Sequence, residues 1–180
     1  YPTVLGHLIL VCDGMGGTSG GSLASRTAVE AIREVFQSPD LGSDGVTALA
    51  EATRVANHRI HNLAGGDPDL EGMGTTCVAA LVSEAGAWIA HVGDSRAYLV
   101  RGGSATRLTR DHSLVQEMVD DGRLTPQEAR DHPDSNVITR SLGIRPEVVP
   151  DISASPIELR HGDRLLLCCD GLTGSVEDSE

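Results

Sequence analysis

The chain has 180 residues, 39% hydrophobic and 22% charged, a length that suits one domain over residues 1–180 with about 70% of its surface buried. Its net charge is −12, from 26 acidic against 14 basic residues, which excludes a protein held on nucleic acid by phosphate contacts. All 14 cations are Arg, and the absence of Lys excludes a Walker P-loop, a Schiff-base enzyme and any lysine base.

Near the start, Leu8-Ile9-Leu10-Val11-Cys12 is an apolar run closed by Asp13-Gly14, the pattern of a strand buried on both faces. A Gly-rich turn from Gly14 to Gly21 follows. Ser22 to Gln37 then carries Ala28, Ala31, Ile32 and Val35 on one stripe, which predicts an amphipathic helix ended by Ser38-Pro39 and the loop to Gly45. Asp44 is placed to cap a second helix, whose apolar face is Val46, Leu49, Ala52, Ala56, Ile60 and Leu63. Arg54, His58, Arg59 and His61 fall opposite, and Gly65-Gly66 stops it. Strand periodicity takes over at Thr75–Val82, Ala87–Val92, Ala97–Arg101 and Ser104–Leu108, the last two joined by Gly102-Gly103, a strong hairpin signal. These predict an antiparallel meander. Residues 113–135 are polar and helical, with Thr125-Pro126-Gln127-Glu128 as a helix start, and form a flap. Order resumes from Asn136 to Leu142. The last strand, Arg164 to Cys169, is again closed by Asp170-Gly171, with too few residues after it for another packed element. No apolar run is long enough to span a bilayer and no signal peptide is visible, so this segment touches no membrane and belongs in the cytoplasm. Cys12, Cys77, Cys168 and Cys169 lack CxxC spacing and read as small core residues in a reducing compartment, against a disulfide or zinc site.

Two apolar strands end in Asp-Gly, at Asp13 and Asp170, and a third ends in Gly93-Asp94. A carboxylate at the end of an apolar strand is costly to bury unless it is paired or metal-bound. If the three strand ends converge, they make an oxygen-rich site for Mg²⁺ or Mn²⁺, which can activate a water against a phosphoryl group. Asp-Gly is also a common turn pair, and each Asp alone could simply cap a turn. Spacing does not decide between the two.

The longer motifs do. Asp13-Gly14-Met15-Gly16-Gly17, with Gly20-Gly21 and Ala24-Ser25, resembles the D-G-M-G-G block of the bacterial metal-dependent protein phosphatases (type 2C, the PPM family). Gly74-Thr75-Thr76 resembles that family's G-T-T strand start, and Gly93-Asp94-Ser95-Arg96-Ala97-Tyr98 its G-D-S-R-A-Y block. Leu108 to Ser113 is similar to L-T-x-D-H-S, Asn136 to Gly143 to N-V-I-T-R-A-L-G, and Asp170-Gly171-Leu172-Thr173 to S-D-G-L-T. The blocks occur in family order from Leu8 to Val176.

The resemblance implies an α+β fold, an α-β-β-α sandwich of two mainly antiparallel sheets flanked by helices. It implies hydrolysis of phosphoserine and phosphothreonine on proteins by a water activated at a dinuclear Mn²⁺ or Mg²⁺ centre, with a third ion in bacterial members. Asp13 would bridge both metals, the Gly14 carbonyl would bind one and Asp170 the other. Asp94 would belong to the third site, with Asn136 beside it at the end of the flap. Partners would be phosphorylated proteins, among them Ser/Thr kinases and their substrates. The family's opening strand, with a phosphate-binding Arg and a Glu-Asp pair, and its closing Asp-Asn block have no counterpart here, as expected of a piece of a longer reading frame. No side chain is assigned as acid or base, since Met15 stands where some members place a His, and the substrate-binding residues are left unassigned.

Two rivals stand beside this expectation. One is a catalytically inactive regulatory or interaction domain of the same fold. The other is a serine hydrolase using Ser19, because Gly17-Thr18-Ser19-Gly20-Gly21 matches G-x-S-x-G, although Ser19 lies well past the strand end. The remaining candidates divide similarly. Asp111-His112 could serve as an acid–base pair or as a structural base for the flap. His58 and His61, three residues apart, could suit a metal but have no third ligand and read as a solvated helix face. Arg96 and Arg140 either pair carboxylates near the site, the preferred reading, or contact substrate, and Cys168 and Cys169 read as core.

Overall fold

The computed structural model describes residues 1–38, 41, 42 and 44–176; Pro39, part of the expected helix stop, lies outside them. The chain begins with β1 (Pro2–Thr3), β2 (Gly6–Val11) and β3 (Gly14–Met15), then two long helices, α1 (Gly17–Gln37) and α2 (Gly45–Gly66). A 3-10 turn at Pro68–Leu70 leads into β4 (Gly74–Thr75), β5 (Cys77–Ser83), β6 (Gly86–Val92), β7 (Arg96–Arg101) and β8 (Ser104–Arg107). Helices α3 (Leu114–Asp120) and α4 (Pro126–Arg130) precede β9 (Asp151–Ile152), β10 (Arg164–Cys168) and the single turn α5 (Asp170–Thr173).

A five-stranded antiparallel sheet, in the order β1-β2-β5-β6-β9, forms the centre. One face is covered by α1 and α2 through Ala24, Ala28, Ala31, Ile32, Leu49, Ala52, Ala56 and Ile60, set at helical spacing against Leu8, Ala79, Leu81 and Ala90. The other face, Val78, Ala80 and Ile89, packs with Ala97, Leu165 and Leu167 of the three-stranded sheet β10-β7-β8. With α3 and α4 beside Arg96 and Arg107 at the second sheet, the result is the expected pair of antiparallel sheets flanked by helices. No helix among the described residues is long and apolar enough to cross a membrane.

The elements depart from expectation at four places. First, α1 starts at Gly17, inside the stretch expected to be a turn. Glycine is a poor helix former, but here the helix lies too close to β3 for side chains: a Cβ on Gly14 would stand 1.9 Å from the Gly21 carbonyl oxygen. Ser19 therefore sits in the first turn of a helix and forms no nucleophile elbow. Second, the meander breaks after β6. The hairpins β5–β6 and β7–β8 form as expected, but the chain changes sheet between β6 and β7, at Gly93. Third, neither Asp-Gly strand is buried on both faces. Ile9 is 45% exposed because it lies beyond the cover of the smaller sheet, and Leu166 is 40% exposed on the edge strand β10. Fourth, α5 follows β10 directly, where no further element was expected.

The flap is a closed excursion. Leu114 N–H donates to the Val137 carbonyl at 2.8 Å and Thr139 N–H to the His112 carbonyl at 2.8 Å, so both ends are clasped to each other. Ser113 caps α3, and Thr125 and Glu128 form a capping box on α4.

Candidate metal centre

Asp13 lies just past β2, where the pairing with β5 continues in unchanged register into β3 and β4. Its backbone is held from both sides. Thr76 N–H and Thr75 Oγ1 donate to its carbonyl at 2.8 and 2.9 Å, and its own N–H donates to Thr76 Oγ1 at 3.0 Å. Thr76 Oγ1 also stands 2.7 Å from Ser95 Oγ, beside Asp94. The Gly-Thr-Thr segment thus fixes the Asp13 backbone and links it to the third acidic strand end.

The Asp13 carboxyl points to Asp170 and Cys169, and ligand atoms of the three lie within 4.8 Å of one another. Burial, a hydrogen bond shared with Asp170 and the Asp170 charge raise the Asp13 carboxyl above the ordinary range. The Cys169 thiol and the Gly14 N–H oppose this by donating to it. Two of the three expected strand ends therefore converge directly.

Asp94 stands apart from that trio, in a cavity of about 780 Å³ that it lines together with Asp170, Asn136 and residues of both flap helices. Burial pushes its carboxyl up to about 6, helped by the charges of Asp111, Asp170 and, more weakly, Asp13. Asn136 is exposed at the flap end on the same cavity.

The cavity wall also carries Arg96 and Arg107, both held by the buried Asp111. Arg96 Nε reaches both Asp111 oxygens at 3.1 Å and its Nη2 reaches Oδ2 at 2.7 Å; Arg107 pairs with Oδ1. Two guanidiniums on one carboxylate leave a net positive charge on the wall facing the acidic strand ends. Asp111 is thus an ion-pair hub, not an acid–base partner of His112. His112 Nδ1 accepts from Gly93 N–H at 3.0 Å, its ring stacks on His91 at 4.6 Å, and its Nε2 lies 3.2 Å from Asp151 Oδ2. Burial lowers the proton affinity of both imidazoles. Arg140 also pairs with Asp151, at 2.7 Å, so Arg96 and Arg140 are the structural partners the sequence suggested. His58 is exposed, but His61 Nδ1 contacts the Gly143 carbonyl at 3.0 Å, so that helix face is not wholly solvated.

Two residues of the site escape the sequence. Cys169, expected in the core, is half-buried against both carboxylates; its place directly before Asp170 was the available signal. Arg107 stands only four residues before Asp111, a local spacing that was the available signal, but its strand pattern gave no sign that the side chain turns to that carboxylate.

A model of the family described as protein phosphatase 2C matches residues 3–180. The chain belongs to that family. It is 42% identical over 172 residues to the serine/threonine protein phosphatase PstP of Mycobacterium tuberculosis, a match covering 96% of this chain and 33% of PstP. It is 41% identical over 175 residues to the protein phosphatase PhpP of Streptococcus pneumoniae, covering 96% of this chain and 70% of PhpP. The chain thus spans about a third of PstP. Among solved structures, it superposes on the M. tuberculosis PstP crystal structure with a TM-score of 0.84 at 41% identity, over 95% of this chain and 71% of that one. A structure of the PstP catalytic domain in complex with two manganese ions gives a TM-score of 0.81 at 40% identity, over 95% of this chain and 70% of that one. These protein phosphatase 2C relatives share the α+β sandwich described above.

Proposed function

We propose that residues 1–180 belong to a single domain, of which they are a part, of a metal-dependent phosphatase that hydrolyses phosphoserine and phosphothreonine on proteins. The observation that carries the proposal is the meeting of Asp13 and Asp170 beside a cavity walled by paired guanidiniums. The donor set fits the metal: carboxylate oxygens suit Mn²⁺ and Mg²⁺, and a carboxyl strained by its neighbour's charge gains from a cation between them. Asp13 would hold both ions, with the Gly14 carbonyl on one and Asp170 on the other; Asp94, with Asn136 nearby, would serve a third. When bound, such ions lower the pKa of a coordinated water and neutralise charge on a phosphoryl group under in-line attack.

The chain's own groups do the rest. Thr75 and Thr76 hold the Asp13 backbone, so the carboxylate is presented without reorganisation. Arg96 and Arg107, fixed by Asp111, offer positive charge to an anionic phosphorylated side chain entering the cavity. The flap helices form one side of the cavity. The relatives' names support phosphoproteins as substrates, and we place the activity in the cytoplasm, where the four thiols are stable.

Mn²⁺-dependent hydrolysis of p-nitrophenyl phosphate and of a phosphothreonine peptide by the full-length protein tests this. Asp13→Ala should lower turnover at least about 100-fold, and EDTA should abolish it. Turnover indifferent to EDTA and to Asp13→Ala would overturn the proposal. A folded full-length protein without turnover would favour the inactive regulatory domain, and esterase activity lost on Ser19→Ala the serine hydrolase.

A further inference from the structure

Directly behind Asp13, the ladder brings two thiols face to face. The β2–β5 register runs from His7 opposite Val82 to Val11 opposite Val78, and resumes with Gly14 opposite Thr75. Cys12 is therefore opposite Cys77. Thr76 N–H donates to the Asp13 carbonyl and the Asp13 N–H points back to Thr76, where Oγ1 accepts it, so these two residues occupy the hydrogen-bonding position of the ladder. The alternation of antiparallel ladders then makes Cys12 and Cys77 a non-hydrogen-bonded pair, the kind whose Cα atoms lie about 4.5 Å apart. That separation falls at the lower end of the range that a disulfide spans. Both side chains lie on the helix-facing side of the sheet, in the same apolar cluster as Leu8, Ala79 and Leu81. Their sulfurs interact: a hydrogen bond to Cys12 and complete burial raise the Cys77 thiol well above its ordinary pKa.

The two thiols differ in access. Cys77 is 2% exposed, whereas Cys12 is half-buried and lines a second cavity, about 300 Å³, with Arg26, Val29 and Arg33 of α1. The phosphatase proposal uses neither this cavity nor the thiols.

We propose that Cys12 and Cys77 form an oxidative modification site, a dithiol that hydrogen peroxide converts to a disulfide. Cys12 sulfur attacks one peroxide oxygen; an S–O bond forms, the O–O bond breaks, and the other oxygen leaves as water once protonated. Cys77 sulfur then displaces the hydroxyl of the Cys12 sulfenic acid, forming the S–S bond, breaking S–O and releasing a second water. The two thiols together lose two protons and two electrons, and one peroxide becomes two waters. Because Cys12 precedes Asp13 and Cys77 follows Thr76, the bond clamps the two strand positions behind the acidic centre. The site stands whether or not that centre hydrolyses phosphate.

Peptide mapping tests it. Trypsin cuts after Arg26, Arg59 and Arg96, which leaves Cys12 in peptide 1–26, Cys77 in peptide 60–96 and Cys168 and Cys169 together in the C-terminal peptide. After peroxide treatment and alkylation of the native protein, non-reducing digestion should yield peptides 1–26 and 60–96 joined, and dithiothreitol should separate them. The oxidised protein should melt several degrees higher than the reduced one, a shift that dithiothreitol reverses. Cys77→Ala should stop at Cys12 sulfenic or sulfinic acid; a Cys168→Ser/Cys169→Ser variant, which leaves both proposed thiols intact, should still give the joined peptide. Recovery of Cys77 as the alkylated thiol while Cys12 is oxidised, in the wild type and in that double variant, would overturn the proposal.

Discussion

Asp13 and Asp170 meet although they follow strands of different sheets: Asp13 leaves β2 in the five-stranded sheet, and Asp170 follows β10 at the edge of the smaller one. Their encounter is a product of sheet stacking, through Val11, Val78 and Ala80 against Leu165 and Leu167. With Asp94 nearby, the stacking concentrates negative charge, and that has a thermodynamic signature. The Asp94 carboxyl titrates near 6 in the fold against 3.8 when unperturbed, so its ionisation opposes folding. Its favourable contribution is complete below pH 4 and is lost as pH rises through about 6. His91 and His112 act with the opposite sign, since buried neutral imidazoles cost stability as pH falls below their unfolded value. The difference between the wild type and Asp94→Asn isolates the carboxyl. In EDTA, urea unfolding should show Asp94→Asn gaining on the order of 2 kcal/mol over the wild type between pH 4 and pH 7. A flat difference would place Asp94 in a more polar setting than its burial indicates.

Asp111 should be far more costly to lose than any surface ion pair. It holds Arg96 and Arg107, and all three side chains are largely removed from water. Asp111→Asn leaves two guanidiniums without a counter-charge and should cost about 3–5 kcal/mol, a fall in Tm on the order of 10 °C. Glu51→Ala, which breaks the exposed pair with Arg54, should change stability by less than about 1 kcal/mol. Thermal unfolding of the two variants side by side checks the contrast.

Much of this was legible locally. The helices declare themselves by apolar spacing and by Asp44 and Thr125 as caps, and the β5–β6 and β7–β8 hairpins by turns between apolar runs. The Asp-Gly ends of β2 and β10 carry the acidic pair. What escaped depends on partners distant in sequence. Helix propensity places Gly17 to Gly21 in a turn, and only the contacts of Gly21 with Gly14 and of Gly20 with Met73 show why side chains are excluded there. The change of sheet after β6 is invisible to periodicity, because strand patterning is the same whichever sheet a strand joins.

Gly93, where that change occurs, combines a φ of +103° with a Cβ position 2.7 Å from Thr76 Cγ2. Gly93→Ala therefore forces both a disfavoured backbone and a collision with the residue that binds the Asp13 N–H. It should destabilise by about 2–4 kcal/mol and weaken Mn²⁺ binding at Asp13 as Thr76 shifts. Gly102→Asn, at a φ of +59° with open space around its Cβ position, should cost less than about 1 kcal/mol, since Asn tolerates the left-handed region. Chemical denaturation and calorimetric Mn²⁺ titration of both variants read the two effects separately.

Cys169 sets the last expectation. It stands where the family's S-D-G-L-T block has Ser, and its thiol donates to the Asp13 carboxylate. A hydroxyl can make the same hydrogen bond, so Cys169→Ser should change Mn²⁺ affinity by less than about threefold, because Mn²⁺ prefers carboxylate oxygen. Zn²⁺ binds thiolate well. With Asp13, Cys169 and Asp170 ligand atoms within 4.8 Å of one another, the wild type can offer Zn²⁺ two oxygens and a sulfur, whereas the Ser variant offers no sulfur. Zn²⁺ affinity should therefore fall at least about tenfold on Cys169→Ser. Competition of each ion with a chromogenic chelator measures both constants, and equal losses for Mn²⁺ and Zn²⁺ would show that the sulfur positions Asp13 without selecting the metal.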